Sequence, residues 1–232
     1  MAISVDTTYK TVLSILNKES RGFLTPDEFN KVAAQVQLDI LEKNFYDYNR
    51  AVVKSNLNRY VSEYGDIPSN IKEKIDVLAK EASLNISNGV APAPSDLYKI
   101  ININTANRTI NLEEISKSEL SYVNSSKLTA PTASFPVYYK EANNVKIFPS
   151  SISSAIIDYI KTPTEPVWGG VTDSYGAITY AAGSSTDFDL HISDRVQLII
   201  GILKYAGVVI SDPQIIQAAS AEANSQVQLE NL

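Results

Sequence analysis

Thr25-Pro26-Asp27-Glu28 spells a helix start, and the apolar residues behind it, Phe29, Val32, Ala33, Val36, Ile40, Leu41 and Phe45, hold a helical period for about six turns. Thr25 suits the cap and Pro26 the first helical position. Glu28 closes a capping box and favours the positive end of the helix dipole. A rod of that length with one apolar face has to be buried against other elements, so helices frame the expected fold.

Asn17 to Glu28 also has the outline of a calcium loop, with Gly22 at the sharp turn, Leu24 as the aliphatic position and Glu28 as the closing carboxylate. The metal half does not follow. The first, third and fifth ligand positions fall on Asn17, Glu19 and Arg21, which puts a guanidinium where calcium needs an oxygen. Local capping needs no rare geometry, so Glu28 is assigned to the cap. A degenerate EF-hand-like calcium-binding module, with Asn17, Glu19 and Glu28 as ligands, is the alternative.

The 232 residues can bury a core as one compound domain or two small ones, and 44% hydrophobic with 20% charged residues is a globular composition. Gln197, Lys204 and Gly207 interrupt the longest apolar run, Val196 to Ile210, too often for a membrane span. The N-terminus lacks a basic region followed by an apolar core, so synthesis in a reducing cytoplasm is expected. The absence of cysteine excludes disulfides, thiolate metal sites and cysteine nucleophiles, and a single histidine, His191, excludes multi-histidine metal sites. The net charge of -6, 20 basic against 26 acidic side chains, comes without a basic cluster and argues against a phosphate-tracking surface.

Ahead of the long helix, Tyr9, Val12, Leu13 and Leu16 predict a short amphipathic helix ending near Ser20 to Gly22. Gly65 to Ser69 marks a break, followed by a helix capped by Ser69 and carrying Ile71, Ile75, Leu78 and Ala82. Asn85 to Ser95, with Asn88-Gly89 and two Ala-Pro pairs, reads as a linker and domain boundary. Downstream, hairpins are predicted at 97–112 and 137–148, then a strand at Ala155 to Ile160 and a further hairpin over 167–181 turning near Thr172-Asp173. Leu120 and Val123 predict a short helix between the first two hairpins. Val196, Ile199, Ile200 and Leu203 form a helical stripe starting near Ser193-Asp194, and Ser211-Asp212-Pro213 starts a final helix whose weakly amphipathic end, Gln217 to Leu232, either frays or gains contacts from another chain.

Asp187, Asp189 and His191 alternate, so an extended strand would place them on one face, with Asp194 as a possible fourth ligand of a metal-dependent hydrolase. The competing assignment is a helix entry at Ser193, where acids and polar side chains cap. No nucleophile elbow, phosphate loop or zincin motif accompanies them, so no catalytic, cofactor-binding or metal residue is assigned and no cofactor is expected. Thirteen tyrosines, among them Tyr46, Tyr48, Tyr60 and Tyr64 on the long helix and Tyr98, Tyr138, Tyr139 and Tyr159 in strands, suit wet protein interfaces or the rim of a core.

Asn17 to Asn30 with its long helix resembles the opening of virion structural proteins of tailed bacteriophages, podovirus-like and crAss-like phages in particular. Leu97-Tyr-Lys-Ile100, Pro136-Val-Tyr-Tyr139, Val145 to Pro149, Asp158 to Pro163 and Pro166-Val-Trp168 are similar to the strand block of those proteins, and Leu190 to Val208 continuing into Asp212 to Ala221 to their closing segment. The resemblance implies a head-tail connector: a non-enzymatic ring or adaptor subunit, twelvefold, that stacks beneath the portal, contacts other tail proteins and continues the DNA channel of the virion neck. An acidic chain without a basic stripe is consistent with a wall that DNA slides past. Another minor virion role, tail-fibre or capsid accessory, shares the same blocks.

The expected fold is α+β. Residues 1–90 and the C-terminal helices of 189–232 pack together as a helical bundle, and 95–188 form a β-rich antiparallel insertion.

Overall fold

In the computed structural model, which describes residues 3–18, 24–57, 67–172, 178–209 and 221, the Thr25 signal forms a complete capping box. The Thr25 N–H and hydroxyl donate to Glu28 Oε2 at 2.9 and 2.7 Å, and the Glu28 N–H donates back to Thr25 Oγ1 at 3.3 Å. These bonds hold the Glu28 carboxyl below the ordinary glutamate range. Leu24 and Phe29, the two positions of a hydrophobic staple, are buried in one core, and the Tyr9 hydroxyl donates to the Leu24 carbonyl at 2.9 Å. Thr25→Ala should therefore cost about 1 kcal/mol, seen as a lower helical melting midpoint by circular dichroism. An unchanged midpoint would contradict the cap.

The helices and strands run α1 (Val5–Lys18), α2 (Pro26–Leu57), α3 (Ile67–Asp76), β1 (Ala79–Asn85), β2 (Val90–Pro92), β3 (Leu97–Thr105), β4 (Glu113–Glu114) and α4 (Leu120–Ser125). They continue with β5 (Val137–Glu141), β6 (Asn144–Phe148), β7 (Ser154–Lys161), β8 (Gly170–Thr172), β9 (Ile178–Tyr180) and α5 (Arg195–Val209). The fold is α+β, and it divides into two compact units, residues 1–77 with 163–232, and residues 78–162.

The first unit is mainly helical. α2 runs further than its apolar stripe, because the stretch from Tyr46 to Leu57 contains no helix breaker even where the period lapses. α3 starts at Ile67 rather than after Ser69, with Pro68 in the first turn, where its missing N–H costs nothing. α5 lays Leu198, Ile202 and Ala206, spaced one turn apart and fully buried, against α1 and α2. Gly201 belongs to this contact: a Cβ there would lie 2.6 Å from Val36 Cγ1, so α2 and α5 meet where a side chain does not fit. The hairpin β8–β9 belongs to this helical unit and not to the β-rich one. Its turn, residues 173–177, and the final helix expected from Asp212 lie outside the described residues, as do Tyr60 and Tyr64.

The stretch Asn85 to Ser95 is a correction. It is no linker: Asn88 and Gly89, with φ of 52° and 76°, form a two-residue turn that joins β1 to β2, and Ala91 is fully buried. Asn-Gly and Ala-Pro mark chain reversal, and the chain here reverses inside a sheet. The β-rich unit therefore spans 78–162 instead of 95–188. It contains an antiparallel sheet ordered β1-β7-β3 and a second ordered β2-β6-β5-β4, in which β4 runs parallel to β5. That parallel pair departs from the antiparallel expectation, because residues 115–136 carry the chain back to the end from which β4 began. Ala155, Ile157 and Tyr159 of β7 alternate inward and share one core with Leu84, Ile103, Val145 and Ile147 from both sheets.

Of the strand tyrosines, Tyr138, Tyr139 and Tyr159 are core while Tyr98 is half-buried, and burial beside Glu114 pushes the Tyr138 hydroxyl up. At the surface, Lys117 and Lys146 both pair with Glu141 and hold its carboxyl down to about 2. Its folded pKa lies below the unfolded value, so the stabilisation is present above pH 4.5 and fades as pH falls towards about 2. NMR titration should find Glu141 ionised at pH 3, and Lys117→Ala should return its midpoint towards 4.5; a midpoint already near 4.5 in the unmodified chain contradicts the pairing.

Candidate functional site

The alternating acids and the histidine lie on the segment entering α5, and each serves a different neighbour. Asp187 Oδ1 accepts from the Val5 N–H at 2.9 Å, at the start of α1, beside a bridge in which the Phe188 N–H donates to the Ile3 carbonyl at 3.1 Å. Asp189 Oδ2 accepts from the Thr164 N–H at 2.9 Å. The buried Gln37 of α2 closes the same seam, accepting from the Asp189 N–H at 2.9 Å and donating to the Thr164 carbonyl at 2.8 Å. His191 caps the 3₁₀ turn Ile192–Asp194 by accepting from the Ser193 N–H through Nδ1 at 3.4 Å. Asp187, Asp189 and His191 are thus drawn to three separate partners, and among the described residues no group of three or more His, Asp or Glu could hold a metal ion.

Asp194, offered as a fourth ligand, is buried to 1% exposure and faces the Lys74 ammonium at 3.0 Å while its Oδ2 accepts from Asn44 Nδ2 at 3.1 Å. α2, α3 and the start of α5 meet at this triad. Of the calcium-loop residues, Asn17 is exposed, Glu28 is engaged in the cap, and Glu19 and Arg21 lie outside the described residues.

A second cluster holds the helical unit together and was not singled out from sequence. Trp168 packs its ring 4.8 Å from Tyr9 and 5.8 Å from Tyr180, and Tyr9 in turn lies 4.7 Å from Phe29. Asn30 of α2 accepts from the Trp168 N–H at 2.7 Å and donates to its carbonyl at 3.3 Å. The indole N–H donates to Asp6 Oδ1 at 3.1 Å. Burial pushes the Asp6 carboxyl up, but Lys10 and the Trp168 donor together bring it below the ordinary aspartate range. One tryptophan in 232 residues, followed by Gly169-Gly170, was the available signal.

Both units also carry exposed large apolar side chains. On α2, Leu38, Tyr46 and Val53 are exposed; on the β-rich unit, Tyr122, Leu128 and Phe135 are. No protein-family model matches this chain, and no curated protein matches it.

Proposed function

We propose that this chain is a non-enzymatic structural subunit of a bacteriophage neck, one copy in a ring that joins the portal to the tail and continues the DNA channel. The observation that carries this reading is the location of the exposed apolar side chains: both units display them, on the α2 strut and on the segment between β4 and β5. Two distinct sticky surfaces on one chain suit heterologous self-association, which closes into a ring when the rotation between copies returns on itself. The candidate acids are consistent with the same reading, since Asp187 and Asp189 each accept from a backbone N–H and Asp194 pairs with Lys74. A net charge of -6 fits a channel wall that DNA passes without adhering. The partners are further copies, the portal above and another adaptor below.

Negative-stain electron microscopy of the purified chain mixed with the portal protein of the same phage tests this. The expected particle is a ring stacked coaxially on the portal. Portal particles without added density would contradict the reading.

A further inference from the structure

Residues 115–135, between β4 and β5, include no buried residue. The Ile115 N–H, donating to the Tyr138 carbonyl at 2.9 Å, and the Lys117–Glu141 pair tie the start of this segment to β5, and local hydrogen bonds shape the rest. Ser116 and Glu119 form a capping box, with the Ser116 N–H donating to Glu119 Oε2 at 2.7 Å and the Glu119 N–H to Ser116 Oγ at 3.3 Å. Thr129 Oγ1 donates to the Val123 carbonyl at 2.8 Å, and Thr132 and Phe135 exchange backbone bonds at 3.3 and 3.1 Å. A segment that is ordered with no fully buried residue has surface to offer. The three most exposed large apolar side chains among the described residues all lie on it: Leu128 at 96%, Phe135 at 80% and Tyr122 at 76%. The next is Tyr46 at 67%, on α2.

Tyr46 belongs to a row, Leu38, Glu42 and Tyr46, spaced four residues apart along the outer side of α2, apolar at both ends and acidic in the middle. The helical unit is acidic and the β-rich unit close to neutral. The helical unit carries 19 acidic and 12 basic side chains, the β-rich unit 7 acidic and 8 basic. Lys127 stands next to Leu128 without an ion-pair partner among the described residues, and so does Glu42 on its row.

We propose that the 115–135 segment of one copy docks on the Leu38–Glu42–Tyr46 row of α2 in a second copy, with Leu128, Phe135 and Tyr122 covering the apolar ends and Lys127 facing Glu42. The contact joins unlike surfaces, so each copy keeps one of each free for the next. Aromatic and leucine anchors supply the attraction and the lysine–glutamate pair supplies register. The proposal rests on the ring reading above and names the surface by which the ring closes.

The test uses the full chain with Leu128 replaced by photoreactive p-benzoylphenylalanine, irradiated and mapped by mass spectrometry, alongside charge exchange. Crosslinks from position 128 should land between residues 38 and 46 of another copy. Lys127→Glu and Glu42→Lys should each raise the concentration needed for assembly several-fold, and the double exchange should restore it, with the melting midpoint unchanged throughout. Crosslinks that land elsewhere on a neighbour, or assembly indifferent to both charges, would overturn this docking and leave the ring intact. A chain that forms no crosslinks between copies and no ring would overturn both.

Discussion

Trp168→Ala is expected to lower the stability of the helical unit by about 3–5 kcal/mol. The buried indole packs against the Tyr9 and Tyr180 rings, and its removal leaves a cavity beside them. The Asp6 carboxylate also loses a donor, although Lys10 stays beside it. Trp168→Phe separates the two effects: it keeps most of the ring contact and loses only the N–H, a cost of about 1.5–3 kcal/mol. Chemical denaturation followed by far-ultraviolet circular dichroism measures both, since the sole tryptophan is gone. Equal losses for the two variants would mean that the hydrogen bond, and not the packing, carries the residue.

Lys74→Met should cost nearly as much, about 3–5 kcal/mol, because it strands a carboxylate in the interior. Asp194 is at 1% exposure and would keep only the Asn44 amide. Asp194→Asn should be milder, because Lys74, at 24% exposure, can turn its ammonium to water. The combination of Lys74→Met with Asp194→Asn should recover much of the first loss, the mark of a cost that comes from an unpaired charge. Trp168 fluorescence reports on the helical unit in this series. A double variant no more stable than Lys74→Met alone would contradict the role given to the pair.

Local signals were the legible ones. The α2 start could be read because a capping box closes within four residues, and the hairpin at 137–148 because Ala142 takes positive φ at its turn. At 97–112 the chain does reverse at Arg108, also at positive φ, but its two arms meet only through the Asn104–Asn111 bridge and β3 pairs with β7 instead. What depended on distant partners could not be read. β7 pairs with β1 and β3, so the strand that sequence placed after a hairpin sits in the middle of the other sheet. Asn88-Gly89 marks a reversal equally well in a linker and in a sheet, and only the burial of Ala91 separates the two.

The candidate site failed in the same way. Asp187 and Asp189 alternate as metal ligands would, yet their partners are Val5, on the far side of the inserted unit, and Thr164, 25 residues back in the chain. Gln37 and Asn44, which fix that region, carry no pattern beyond lying on the buried side of α2. Beyond the Leu120 and Val123 spacing that marks α4, the exposed 115–135 segment carries no hydrophobic period, so nothing in the sequence separates its outward Leu128 from a core leucine.

The most direct test of a joining role is mass photometry of the purified full chain across a concentration series. The account predicts one dominant closed multimer, a fixed multiple of the 25.4 kDa subunit, that is lost when Leu128 and Phe135 are both replaced by serine. A chain that stays at the subunit mass at every concentration, with and without portal, contradicts it.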